Sequence, residues 1–374
     1  MTQNNANTPY GHPTIKVLGL GGGGCNAVNR MLELGIQGVD FIAANTDAQA
    51  LMQASTPVKI QLGPQLTRGL GAGGNPEIGR KAAEESAETL RQALKGADLV
   101  FLTAGLGGGT GTGAIPVAAR IARELGAITV AIVTLPFAFE IGRRQQNAHE
   151  GLQALQPHVD TLITVANERL LQIAPRNLPM EMTFRLADDV LRQAVQGVAE
   201  LITRPGTINL DFSHLARLLR TGGGALMTVG QGKGEHKIIQ AIQNALHHPL
   251  LDDIPLEEAS AVLVNFTVGE DLSLEELSNA LSALHVRLPS EHDLVWGFSV
   301  DPMFTDRAQA VMVIAGLGVQ HLANGLTAGQ EVQRAHPASA RPTPSRPQPT
   351  APAPAARVDT FDVPAFLRQQ RYLG

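Results

Sequence analysis

Leu99-Val-Phe-Leu-Thr-Ala-Gly-Leu-Gly-Gly-Gly-Thr-Gly-Thr-Gly113 decides the fold. A strand-like apolar run, 99–103, leads into GGGTGTG (Gly107 to Gly113), and a helix-like run over 115–125 follows. Glycine lets the backbone turn tightly and come close to a ligand, and a helix N-terminus favours negative charge. A strand, five glycines in seven residues and then a helix therefore bring bare N–H groups up to an anion. A flexible turn has no need of two threonines at fixed places among the glycines. The run reads as a phosphate cradle.

The pattern continues on both sides. Strands are expected over 15–20, 41–44, 58–62, 99–103, 129–133 and 161–165. Helices are expected over 26–34, 76–94, 115–125 and 145–155, with Pro76 well placed in a first turn. Strands alternating with helices of this length predict a parallel sheet covered on both faces, an α/β nucleotide-binding domain. A long helix over 180–202 carries Phe184, Leu186, Val190, Leu191, Val195 and Val198, too many apolar positions for a free surface helix. After Arg204-Pro205-Gly206 the pattern restarts as helix 214–220, strand 225–229, helix 237–246 and strands 261–268, 293–299 and 309–315, a smaller α/β second domain. Trp296 reads as one of its core residues.

Composition sets the class. The 374 residues are 44% hydrophobic and 17% charged, enough to bury two cores, and the net charge of −5 gives no reason to expect nucleic acid as a partner. One cysteine excludes an internal disulfide and fits a reducing compartment. The first thirteen residues hold no signal-peptide core, and no apolar run approaches a membrane span, so a cytoplasmic protein without direct membrane insertion is expected. From Val332 to Val358 there is no acidic residue, and seven prolines fall between Pro337 and Pro354, the composition of an extended tether. Beyond it FDVPAFLRQQR, from Phe361, recovers apolar residues at helical spacing and reads as a recognition peptide.

Two further glycine clusters follow strands. Gly19-Leu-Gly-Gly-Gly-Gly-Cys-Asn26 meets the dinucleotide spacing through Gly19, Gly21 and Gly24, with Asp40 near the expected acidic position, so a nicotinamide-dependent oxidoreductase is one reading. Gly69-Leu-Gly-Ala-Gly-Gly-Asn75 is the other cluster. No cluster has the Gly-Lys-Ser/Thr ending of a P-loop. Three glycine loops on one sheet edge exceed what a dinucleotide needs and suit a triphosphate held by backbone amides.

GGGTGTG, GGGGCNAV, GLGAGGNPEIG, Asn45-Thr-Asp47 and ADDVLRQAVQGVAELITRPG (Ala187 to Gly206), in this order, resemble the tubulin/FtsZ family of bacterial cell-division GTPases. The resemblance spans about Ile15 to Gly318 and returns in DVPAFLRQQ. It implies a GTPase that assembles head to tail into filaments and forms the division ring at mid-cell, with GTP and GDP as ligands and Mg2+ carried mainly by the phosphates.

Residue by residue, it implies that Gly21, Gly22, Gly23, Gly24, Cys25 and Asn26 line the α/β phosphates. Gly107, Gly108, Gly109, Thr110 and Gly111 cradle the β/γ phosphates, and Ala72 and Gly73 sit in the loop that senses the γ-phosphate. Glu140 and Arg144 match ribose and base contacts, Phe184 stacks on guanine, and Asp188 accepts from guanine N1–H and the 2-amino group. A carboxylate suits that edge of guanine and not adenine. From the residues alone, Glu140–Arg144 also reads as a helical i,i+4 surface pair and Phe184 as core packing. Cys25 reads as a packing residue, or as a thiol activated near a helix start.

The resemblance places a catalytic loop, N-x-D-F-x-D, in the second domain, acting on nucleotide held by the next subunit. The chain has Asn209-Leu-Asp-Phe-Ser-His214: Asn209 and Asp211 stand in place, and His214 replaces the second carboxylate. Two readings stay open, a tolerated change and a slowly hydrolysing structural filament. The tail residues Asp362, Pro364, Phe366 and Leu367 are implied to dock on division proteins that tether filaments to the membrane. The expected division is 1–13 N-terminal arm, 14–179 GTP-binding domain, 180–203 central helix, 204–318 second domain, 319–358 linker and 359–374 tail.

Overall fold

The computed structural model describes residues 13–36, 38–140, 142–168, 212–220, 224–246, 259–287 and 293–316, with individual positions between 182 and 199. All of them belong to one compact unit, Met1–Gln333. Phe184, Asn209, Asp211, the linker and the tail residues Asp362, Pro364, Phe366 and Leu367 lie outside the described residues.

Six strands are parallel: β1 (Ile15–Leu20), β2 (Val39–Asn45), β3 (Val58–Gln61), β4 (Leu99–Gly105), β5 (Ile128–Leu135) and β6 (Thr161–Ala166). Their order is β3-β2-β1-β4-β5-β6. β4 is buried along six of its seven residues. Alternate side chains serve opposite faces: Val100, Leu102 and Ala104 join one core, and Leu99 and Phe101 the other.

On the first face pack α4 (Pro76–Glu85), α5 (Ala87–Leu94), α6 (Thr110–Glu124) and α7 (Arg143–Leu155). On the second lie α1 (Gly21–Glu33), the central helix and α8 (Phe212–Arg220). The described residues between 182 and 199 are all helical. Ala187, Leu191, Val195 and Ala199 recur every four residues and are buried in that second core, as a helix lying across a sheet requires.

The sheet continues through β7 (Gly224–Lys233), β10 (Arg307–Ala315), β8 (Ala261–Val268) and β9 (Asp293–Val300). Among the described residues β6 and β7 pair through Leu162↔Gly224 and Ile163↔Ala225. β10 runs antiparallel to both β7 and β8, and β8 and β9 are parallel. This mixed half has its own core, covered by α9 (Lys237–Leu246) and α10 (Leu274–Arg287), with Trp296 packed against it.

Four elements differ from the sequence reading. α1 begins at Gly21 and α6 at Thr110, so Gly21 to Gly24, Gly111 and Gly113 lie in first helical turns, while Gly107 to Gly109 precede α6. The expected 76–94 helix is two helices, because Ser86 turns its hydroxyl to accept from Gly63 N–H at 2.9 Å and to donate to the Gln61 carbonyl at 3.3 Å. α10 was not expected, although Ser273 three residues before Glu276 marks its start and accepts from Glu276 N–H at 3.1 Å. Glu276 turns its carboxylate to Ile238 N–H at the start of α9 instead of closing that box.

Candidate functional site

β2 and β3 extend the sheet to one side of β1, and β4, β5 and β6 to the other. Ligands of open α/β sheets bind beyond the carboxyl ends of the strands where the order reverses. Here that point lies between β1 and β4, the two strands that feed the first glycine cluster and GGGTGTG. A cleft of about 440 Å³ opens there. Gly22, Gly23 and Asn26 from α1, Gly108 to Gly111 from the second cluster and the start of α6, Thr134 near the end of β5, Pro136 after it, Glu140, Arg144, Asn167 and Asp188 all line it.

The glycines perform two tasks. A methyl group on Gly24 would collide with the Thr103 carbonyl, so its bareness lets α1 lie against β4. On Gly22 or Gly108 a methyl group would meet nothing within 4 Å, since both face the open cleft. Neither α1 nor α6 has a side-chain cap or an acidic residue in its first turn. The neighbouring helices α2 (Ala48–Met52) and α4 are capped by Asp47 and Asn75. The helices at the cleft thus keep amide donors for a ligand and add no competing negative charge.

The loop 69–75 is held beside GGGTGTG. Asn147 Nδ2 on α7 donates to the Gly74 and Gly107 carbonyls, each at 3.2 Å, and so clamps the two loops together. The sequence reading did not single out Asn147; its only signal was a polar residue early in an expected helix. Thr46, at the end of β2, has its Oγ1 2.5 Å from Thr110 Oγ1, and its carbonyl accepts from Gly71 N–H at 3.3 Å.

Of the phosphate-side residues named from the sequence, Gly22, Gly23, Asn26, Gly108, Gly109, Thr110 and Gly111 line the cleft. Gly21, Gly24, Cys25, Ala72, Gly73 and Gly107 do not. Gly21 supports the cradle from beneath, since a methyl group there would lie 2.7 Å from Gly111 N. Ala72 is buried, its methyl packed where a side chain on Gly109 would have to go.

Cys25 is a correction to the activated-thiol reading. It is buried with its Sγ toward the Gly19 and Ala44 carbonyls, and burial pushes its pKa up to about 12. Desolvation of the thiolate outweighs the adjacent helix start.

Asp188 and Glu140 occupy the far wall. Burial raises Asp188 to about 6, only partly opposed by the Arg30 charge. Such a carboxyl gains from any ligand that offers it paired donors. Glu140 Oε1 accepts from Phe137 N–H at 3.0 Å, and Oε2 pairs with Arg144. The helical-pair reading needs correction, because Glu140 precedes α7 and braces the turn that leads into it. Asn167 was missed: it is buried at the end of β6, lines the cleft, and its Oδ1 has no partner among the described residues. An unpaired buried acceptor on a cleft wall marks a place for a ligand donor.

The dinucleotide reading fails on register. Asp40 pairs with Lys16 near the start of the strands, four residues or about 13 Å from the glycine edge. The end of β2, where a ribose-binding acid would stand, carries Asn45 and Thr46 instead. His214 belongs to α8.

Known families and structures agree with this architecture. The Tubulin/FtsZ family, GTPase domain, matches residues 14–175, and the FtsZ family, C-terminal domain, matches residues 223–318. Cell division protein FtsZ 1 of Thermococcus kodakarensis is 46% identical over 303 residues, covering 81% of this chain and 80% of that one. The FtsZ dimer of M. jannaschii, solved empty, is 44% identical with a TM-score of 0.78, over 82% of this chain and 89% of that one. CetZ1 from Haloferax volcanii, a GDP-bound monomer, shares the fold at 18% identity and a TM-score of 0.72, over 86% and 99% of the two chains. With both family domains in order and 46% identity to a division protein over 303 residues, this chain belongs to the Tubulin/FtsZ family of GTPases.

Proposed function

We propose that this chain binds GTP in the β1–β4 cleft and polymerises head to tail. In this reading each subunit hydrolyses the nucleotide of its neighbour. The observation that carries it is what the cleft lacks. Its described lining holds two carboxylates, Glu140 and Asp188. Glu140 is committed to Phe137 and Arg144. Asp188, on the central helix, is the guanine partner in the family pattern. No carboxylate on the described lining is therefore free to orient an attacking water. Phosphoryl transfer depends on such positioning, so the missing group has to come from elsewhere.

Asn209 and Asp211, with His214 at the third position, are the groups proposed to reach a neighbour's cleft. Exposed apolar side chains lie at the same sheet edge, Leu70 in the third glycine loop and Phe139 after β5, and suit burial against a second copy. The M. jannaschii relative, solved as a dimer, supports self-association. Mg2+ is proposed to travel with the phosphates, polarising them and offsetting their charge.

The ring at mid-cell, a cytoplasmic location and the docking of Asp362, Pro364, Phe366 and Leu367 on membrane-tethering division proteins complete the reading. No helix among the described residues is long and apolar enough to cross a membrane. Removal of Phe361–Gly374 is expected to spare assembly and abolish capture by such a tether.

The deciding experiment measures phosphate release against protein concentration, with sedimentation alongside. A shared active site gives a concentration threshold below which turnover vanishes. A rate proportional to protein from the lowest concentrations would sink the shared site. His214 favours a second reading, a slowly hydrolysing filament, which would pellet with GTP and release little phosphate.

A further inference from the structure

Thr46 belongs to none of the glycine loops, yet it touches two of them. It is fully buried at the end of β2, and its Oγ1 lies 2.5 Å from Oγ1 of Thr110, the first residue of α6. Its carbonyl accepts from Gly71 N–H and from Thr67 Oγ1, both at 3.3 Å. One residue thereby links the floor of the phosphate cradle to the loop 69–75, which presents Leu70 at 85% exposure.

The direction of the hydroxyl pair is open in the free protein, because either oxygen can donate. A phosphate oxygen is an acceptor only, so when Thr110 faces one its proton must point to the ligand. The proton between the two hydroxyls then has to come from Thr46. Hydrogen bonds in such a chain polarise one another, and a donor behind Thr110 makes Thr110 a better donor.

We propose that Thr46 is a positioning residue for the γ-phosphate. Its hydroxyl donates to Thr110 Oγ1 and aims the Thr110 proton outward, while its carbonyl conveys the seating of Thr110 to the Gly71 backbone and the Leu70 loop. The inference rests on the proposed binding of GTP in this cleft and deepens it. Thr46 touches no ligand itself and acts through Thr110.

The test is the ratio of GTP to GDP affinity, measured by calorimetry on the full chain and on Thr46→Ala and Thr46→Ser. Thr46→Ala should lower the ratio about five- to tenfold, the effect of one hydrogen bond in a chain that ends on a charged acceptor. Thr46→Ser keeps the hydroxyl and should restore the ratio to within about twofold. Equal weakening of both nucleotides in Thr46→Ala would mean packing alone and overturn the inference, as would an unchanged ratio or a serine variant as impaired as the alanine. If the unaltered chain binds no GTP, the reading of the cleft falls as well. Binding with an unmoved ratio removes the role of Thr46 alone. Thermal unfolding of the nucleotide-free variants shows that the compared proteins are folded.

Discussion

The two halves of the sheet are built from similar apolar strands but do different work. In the parallel half every strand ends on the same edge, so the loops after β1, β3, β4 and β5 come together there. In the mixed half β10 runs against both its neighbours, so its end lies on the edge opposite to those of β7, β8 and β9. The parallel half gathers its loops into one cleft, whereas in the mixed half the reversed β10 stands between β7 and β8 and separates their ends. In the proposed assembly the second domain carries a surface to a neighbour, and the parallel half holds what that surface acts on.

The two halves share the β6–β7 pairing and a core that Leu263, Val311 and Val313 join from the mixed half, while α9 and α10 cover a core of the mixed half alone, so their coupling can be tested. Leu284 on α10 is fully buried in the core of the mixed half. Leu284→Ala should destabilise that half by about 2–5 kcal/mol, read as a lower melting temperature. Nucleotide affinity of the folded protein should stay within about twofold. A large loss of affinity at temperatures where the variant is folded would mean that the halves are energetically one.

Within the parallel half, Asp188 is the sharpest contact. Asp188→Asn replaces an acceptor-only group by one that presents a donor, and GTP affinity should fall roughly 10- to 100-fold. The unaltered chain should also show a pH signature. Burial raises the folded carboxyl to about 6, so above that pH the charged form is present to accept both guanine donors. Below it a proton has to leave first. Affinity should therefore decline as pH falls through about 6, and more steeply than in the Asn variant, in which only the phosphates titrate. Parallel pH profiles for the two proteins would remove Asp188 from the base site.

The glycines test the close packing of the same region. Gly24→Ala forces a methyl group onto the Thr103 carbonyl and should cost about 1–3 kcal/mol of stability. Gly22→Ala meets nothing in the protein, so stability should hold while GTP binding weakens by a few-fold. Equal melting temperatures for the two variants would contradict the fit of α1 against β4.

These contrasts also show which features were legible in the sequence. The parallel half was read nearly strand for strand, because buried strands appear as apolar runs and the glycines mark their ends. The helix starts were read late, since glycine is a poor helix former and only contact with β4 makes it useful inside a first turn. The unread α10 carries Leu277, Ala280, Leu281 and Leu284 at the i, i+3, i+4 and i+7 spacing of a helix, but Ser278, Asn279 and Ser282 break them up as an apolar run, the form in which the neighbouring strands stand out. Asn147 and Asn167 were illegible for another reason, and Thr46 stood in the Asn45-Thr-Asp47 motif without a role. Each is an ordinary polar residue whose importance comes from what lies opposite it in space. The nicotinamide reading failed likewise, as spacing placed Asp40 at the right distance in sequence and register placed it at the wrong end of the strand.

The smallest expected effect lies on α8, which packs against the parallel sheet. His214 stands on α8 where the family pattern has a carboxylate. In the proposed assembly that helix presents the catalytic loop to the next subunit. A carboxylate there orients water at any pH above its own low pKa, whereas an imidazole accepts a proton only when neutral. His214→Asp should therefore raise GTP turnover per subunit a few-fold above the assembly threshold and leave nucleotide affinity unchanged, because the position belongs to the acting surface and not to the holding cleft. Equal or lower turnover in the variant would show that Asn209 and Asp211 suffice. A change in affinity would show that the position also bears on the cleft of its own subunit.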